Sequence, residues 1–224
     1  MARTSKTSTP VRPMARVGDS DLVERRRAQI VEAATRLVAR QGFAKTVVRE
    51  IAEEADISVG LVYEYVRSKE DILFLIYEHW SKVWQDGLEK ALGKGDDPLE
   101  QLESIINFLV SISDKHSEVC HLFYREPGHL TEHGRELAKN FEREMVDRIS
   151  ATIQSAVAGG FLRPETHTVV LATSLILLAH GWVLKGYILH KGRTASAYAA
   201  SVAETVVQGW ATPSGRKAWE RRTP

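Results

Sequence analysis

Seven side chains between positions 116 and 133 are of the kinds that bind transition metals: His116, Cys120, His121, Glu126, His129, Glu132 and His133. His116 and Cys120 are four apart, as are His129 and His133, so each pair could share one face of a helix. Two features argue against a metal centre. Pro127-Gly128 adjoins His129 and interrupts a helix there, and the fixed Cys/His spacings of zinc sites are absent. A polar loop and a solvated helix face explain the cluster more simply, so no metal is expected. Catalytic patterns are missing too: there is no Gly-rich phosphate loop, no nucleophile elbow and no HExxH pair. The expectation is a non-enzyme without a cofactor.

A second stretch carries a different chemistry. Residues 46–69, TVVREIAEEADISVGLVYEYVRSK, read as two short helices around a tight break at Ala55, Asp56 and Ile57. Thr46 is placed to cap the first helix and Ser58 the second. Val47, Ile51, Ala52 and Ala55 recur at helical spacing in the first, and Leu61, Val62 and Val66 form an apolar side of the second. This is a helix-turn-helix pattern. The second helix opens Ser58-Val59-Gly60, small enough for its N-terminal end to approach base edges in a major groove. A plain helical hairpin is the competing reading. Tyr63 and Tyr65, two apart, point to different sides of that helix.

The flanks decide between the two. With RRAQIVEAATRLVARQGFAKT before it and SKEDILFLIYEHW after it, the run 26–80 resembles the N-terminal domain of the TetR family of transcriptional repressors. The marks are Ile30, Ala33-Ala34, Gly42-Phe43, Thr46, Ile51-Ala52, Ala55, Ser58, Gly60, Tyr63, Tyr65 and Ser68-Lys69-Glu70. Val66 departs from the pattern, where the family usually has Phe, and predicts lighter packing. The resemblance implies double-stranded operator DNA as the partner. Ser58, Val59, Gly60 and Tyr63 would face bases, Tyr65 would also face DNA, and Thr46, Lys69 and two of the early arginines, Arg26 and Arg27, would hold phosphates. Lys69 at a helix start opposes the helix dipole, which makes sense if it meets a phosphate.

The resemblance also implies a second, C-terminal domain that binds a small-molecule effector and pairs its last two long helices with a second copy as a homodimer. An apolar cavity there could be lined by Phe108, Ile112, Phe123, Phe141, Met145, Leu175, Ile176 and Trp182. Taken singly, each of these reads more simply as plain core, and His180, a further candidate ligand contact, more simply as a hydrogen-bonded core histidine. The segments LYEYVRSKEDIL, FYREP and GFLRPETHTVVLATSLILLAHGWVLKGYIL further resemble the branch that answers to fatty acyl-CoA. The function expected is a repressor released from its operator by an apolar effector. The alternatives are a metal- or redox-sensing regulator and an all-α carrier of an apolar ligand.

The elements that must position these residues are all helices, about nine, with no strand signal. The first starts at Ser20 or Asp21, where Asp21 and Glu24 have capping-box spacing, buries Ile30, Ala33, Ala34, Leu37 and Val38, and ends at Gly42. After the helix pair, Ser68 caps a long helix to about Leu92, the natural lever between domains. A linker, Gly93-Lys94-Gly95-Asp96-Asp97-Pro98, follows, with Asp97 capping the next helix. Later helices are expected near 115–124, 131–158, 166–190 and 194–210. These bounds give a basic flexible arm, 1–19; a helix-turn-helix domain, 20–67; a ligand-binding and dimerisation domain, 68–210; and a basic tail, 211–224.

With 224 residues and 43% apolar composition the chain can bury a real core. Net charge is only +1, but the arm 1–17 carries +4, and 67–210 carries −4. Such an arm suits phosphate contacts. The longest apolar run, 169–189, is interrupted by Thr173, Ser174, His180 and Lys185 and reads as a buried helix. A single cysteine and no apolar leader segment predict a cytoplasmic chain.

Overall fold

A computed structural model describes residues 20–95 and 97–222; the arm expected at 1–19 lies outside them. Eleven α-helices and one 3-10 turn make up the described chain, two α-helices more than expected. Among the described residues there is no strand beyond a single antiparallel bridge between Leu162 and Ala211.

Three helices form the head: α1 (Ser20–Gln41), α2 (Val48–Glu54) and α3 (Val59–Tyr65). α1 already includes Asp21, so the expected Asp21–Glu24 capping box is not its start; the Asp21 carbonyl instead accepts from Arg25 Nε. Gly42 ends α1 at φ 83°, a conformation that suits a residue without Cβ. Asp56 sits at φ 52° in the break between α2 and α3, and Ser58 Oγ accepts from Leu61 N to cap α3. Thr46 is not the cap of α2. Val47 holds that position and donates its N–H to Glu50 Oε2, while Thr46 is fully buried with its hydroxyl donating to the Gly42 carbonyl.

α4 (Lys69–Leu92) then leaves the head. Its start is a reciprocal box: Ser68 Oγ accepts from Asp71 N, and Asp71 Oδ2 accepts from Ser68 N and Arg67 N. The body follows as α5 (Pro98–Lys115), α6 (Ser117–Arg125), a 3-10 turn (Pro127–His129), α7 (Glu132–Ala158), α8 (Thr168–Leu184), α9 (Gly186–Leu189), α10 (Ala195–Trp210) and α11 (Pro213–Glu220). Asp97, Thr131, Thr194 and Thr212 cap α5, α7, α10 and α11 with their side chains. The helix expected at 166–190 breaks at Lys185. His190 closes back over that break, donating from Nε2 to the Trp182 carbonyl, and a Cβ on Gly186 would strike its ring at 2.7 Å.

The basic tail expected at 211–224 contains α11, which is docked: Trp219 is buried, and a Cβ on Gly215 would lie 2.0 Å from the Phe161 carbonyl oxygen. Two apolar cores result. The body core runs through α4, α5, α7, α8 and α10. The head core unites α1–α3 with the first half of α4 and also takes in Val119, Leu122 and Leu130 from beyond residue 67. Val66 is buried in it.

Candidate functional site

Two surfaces of the molecule present chemistry. The first is the outer side of the helix pair. Ser58, Val59, Gly60 and Tyr63 are exposed together at the start of α3, Tyr63 by 53%, and Val47 is exposed beside α2. Val62 and Val66, on the opposite side of the same helix, are buried in the head core, so packing fixes which residues point outward. Tyr65 is half-buried against that core. Lys69 donates from Nζ to the Ala44 carbonyl at 3.0 Å and lies 4.4 Å above the Phe43 ring, so its place at a helix start already has an internal explanation. Arg26 donates to Gln29, and Arg27 pairs with Glu78 of α4. Thr46, being buried, presents nothing to this surface. Lys45 and Arg67, which sequence reasoning passed over, are exposed at its edge.

Ion pairs brace the head from behind. Arg36 and Arg40 of α1 clasp Glu54 of α2, holding its carboxyl below the usual carboxylate range, chiefly through the Arg36 hydrogen bond. Arg125 at the end of α6 donates to the Val38 and Ala39 carbonyls, and the buried carboxylate of Glu126 accepts from Phe43 N and faces His129 at 3.0 Å. α1 and the turn that follows it therefore stand on α6 as well as on α4.

The second surface is a cavity of about 540 Å³ inside the body. Tyr77 and Trp84 of α4 form one wall, and Cys120, Phe123 and Tyr124 of α6 another. Phe141 and Met145 of α7 with Ile176, Leu177 and His180 of α8 complete it, and Arg135 and Lys139 stand on it as its basic groups. Of the expected ligand contacts, Phe123, Phe141, Met145, Ile176 and His180 line this space. Phe108, Ile112, Leu175 and Trp182 do not. Phe108 packs into the gap over Gly87, where a Cβ would meet its ring at 2.3 Å, and Trp182 donates to Asp114 and stacks on Tyr198. Leu175 is wholly core, and Ile112 packs on its edge. Tyr77, Trp84 and Tyr124 were missed. Tyr77 and Trp84 are seven apart, two helical turns, which puts them on one face and was the available signal.

Inside the cavity, His180 Nδ1 and the Tyr124 hydroxyl form a 2.9 Å hydrogen bond. Burial pushes the His180 imidazole down to about 4, so it is neutral at pH 7. Burial likewise pushes the Cys120 thiol up to about 11, which leaves it protonated and unreactive. Among the described residues no three metal-ligating side chains converge. His116 instead packs on Trp80, and His133 stacks on Phe74.

Two family models match this chain. One describes bacterial regulatory proteins of the tetR family and covers residues 30–81; the other describes the tetracyclin repressor-like C-terminal domain and covers residues 95–210, over half of the chain. The chain belongs to the tetR family. As such it is a ligand-responsive, DNA-binding transcriptional regulator. Among its relatives, the HTH-type transcriptional regulator HbdR of Aromatoleum sp. (strain CIB) is 31% identical over 202 residues, 90% of this chain and 88% of HbdR. The tetR fold is shared with solved structures of low identity. AibR in complex with isovaleryl coenzyme A and operator DNA superimposes with a TM-score of 0.69 at 21% identity, covering 80% of this chain and 97% of AibR. FadR of Bacillus subtilis in complex with stearoyl-CoA gives 0.70 at 18% identity, covering 81% and 98%. No helix among the described residues is long and apolar enough to cross a membrane.

Proposed function

We propose that two copies of this chain form a cytoplasmic repressor that grips an operator and lets go when an acyl-CoA-type effector fills the cavity. In this reading Ser58, Val59, Gly60 and Tyr63 read base edges from the major groove, with Tyr65 beside them. Arg26, Arg27 and Lys69 supply phosphate contacts through donors left over from their internal bonds, and Lys45 and Arg67 join them. The two-copy arrangement is supported by α8 and α9, which expose Val169, Val170, Leu177, Leu178, Tyr187 and Ile188 although α8 also packs into the body core on its other side. A helix apolar on both sides needs a second partner.

One observation carries the coupling. The cavity is walled by α4 and α6, and the same two helices put Leu73, Ile76, Val119 and Leu122 into the head core. A ligand that fits better when those walls have shifted favours the shifted heads, and only by its difference in affinity between the two arrangements. The acyl-CoA class is supported by the apolar walls and by the volume, which is that of a ligand site; at its rim Arg135 and Lys139 outnumber the one lining carboxylate, Glu142. AibR and FadR, crystallised with coenzyme A thioesters, share the fold. The test is a gel-shift titration on the promoter region beside its own gene, with and without acyl-CoAs of graded length. A retarded band released by one length range is expected; an absent band at low salt, or a band that no acyl-CoA releases, would overturn this reading.

A further inference from the structure

One stripe of α8 forms a wall of the cavity. Thr173, Ile176, Leu177 and His180 all line it, and the last three stand at helical spacing from the first, on a single face. His180 therefore turns its side chain toward that space. Its two ring nitrogens are treated differently. Nδ1 meets the Tyr124 hydroxyl at 2.9 Å, whereas Nε2 has no partner among the described residues. Nor is Nε2 shut away. The sealed, unmatched polar atoms there are Ser81 Oγ, Trp84 Nε1, Ser150 Oγ and one Arg222 nitrogen, so Nε2 keeps accessible surface on the side chain that faces the cavity. The rings of Tyr124, at 5.5 Å, and Trp84, at 5.6 Å, stand edge-on to the imidazole and hold its plane.

The bond to Tyr124 decides where the imidazole proton sits. Burial pushes the Tyr124 phenol up and the His180 imidazole down, so both are neutral at pH 7. A phenol is the better donor and an imidazole nitrogen the better acceptor, so Tyr124 donates to Nδ1 and the ring proton stays on Nε2. We propose that this Nε2–H donates to the carbonyl oxygen of the bound acyl thioester, with the Tyr124 hydroxyl fixing the tautomer, and so selects thioesters over carbonyl-free molecules of the same shape. This rests on the acyl-CoA reading above. The other lining hydroxyls are already committed, Tyr77 to the Phe123 carbonyl and Thr173 to the Val169 carbonyl. A neutral carbonyl is the fitting acceptor because burial alone acts on His180; a carboxylate beside it would lose water without a cation in exchange.

The experiment compares hexanoyl-CoA with S-hexyl-CoA, the thioether that lacks the carbonyl oxygen, by calorimetry on the full chain and on His180→Phe, which keeps a ring but no donor. The unaltered chain should prefer the thioester by about tenfold, the range of one well-placed hydrogen bond, and His180→Phe should bind both alike. Two-bond ¹H–¹⁵N spectra of the unaltered protein read the tautomer without relying on the variant's folding. They should show the His180 proton on Nε2, and that nitrogen should shift with the thioester and not with the thioether. Equal binding of the two ligands, a preference that survives in His180→Phe, or a proton on Nδ1 overturns the role of His180 and leaves the acyl-CoA reading standing. If neither compound binds, that reading falls and the His180 assignment with it.

Discussion

The head and the body are both helical, but they are finished differently. In the head, residues 20–67, no buried side-chain polar atom among the described residues lacks a partner, and the turns are closed by Ser58, Asp71 and the Thr46 hydroxyl. Two of the body's helices carry loose ends instead: Ser81 Oγ and Trp84 Nε1 on α4 and Ser150 Oγ on α7 are buried with no partner among the described residues, and the cavity lies between those helices. The apolar exposure differs as well. The head shows a small patch around Val47, Val59 and Tyr63, whereas α8 and α9 show a long one, with Val170 at 61% and Tyr187 at 70%. A part that must hold one shape against DNA has its polar groups closed, and a part that must change with a ligand keeps slack where the ligand sits.

The contrast can be broken most severely on α8 and α9. Val170→Asp combined with Tyr187→Asp should convert the dimer to a monomer in light scattering and abolish operator binding, while each subunit stays helical by circular dichroism. A dimer that persists would move the interface elsewhere. Next in size is Tyr63→Ala, for which a loss of about tenfold in operator affinity, at unchanged melting temperature, is expected from the removal of a single exposed groove contact. Lys69→Ala should differ in kind, lowering both affinity and melting temperature, because its ammonium also bonds Ala44 and covers Phe43. Equal melting temperatures for these two variants would deny Lys69 its internal role. Ser58→Ala should cost about 1 kcal/mol of head stability by denaturant titration through the lost cap.

The smallest effect concerns pH. His180 is held near 4 in the fold and returns to about 6.5 when the chain unfolds. Below 6.5 the unfolded chain therefore takes up the proton first, so the stability His180 contributes is fully present above pH 6.5 and declines down to about pH 4. His180→Gln should flatten that part of the stability profile relative to the unaltered chain. An unchanged slope would mean that the imidazole is wetter than its burial implies.

How far these features could be read in the residues alone follows from their range. Caps are local, and Ser58, Ser68 and Asp97 were each legible from the type of residue before an apolar run, whereas Thr131 and Thr194, expected as the first helical residues, proved to be the caps. Thr46 had the right type one position too early, and its hydroxyl turned inward to Gly42 because the Gly42 turn brings that carbonyl within reach. The cavity is not local. Whether Phe108 or Tyr77 faces it depends on how α4, α5, α6 and α7 meet, and the absent Cβ of Gly87 draws Phe108 into helix packing instead. The same holds for Trp182, whose indole was claimed by an aspartate 68 residues earlier.

The share that α6 takes in the head core has a practical consequence for cutting and grafting. A fragment ending at residue 81 would leave the head core, Ile76 and Tyr77 included, without Val119, Leu122 and Leu130, and one ending at 67 would lose the α4 side chains of that core as well. Reading heads exchanged between relatives at that seam would carry an open flank, and a transplant that keeps its footing has to bring residues 117–130 along with it.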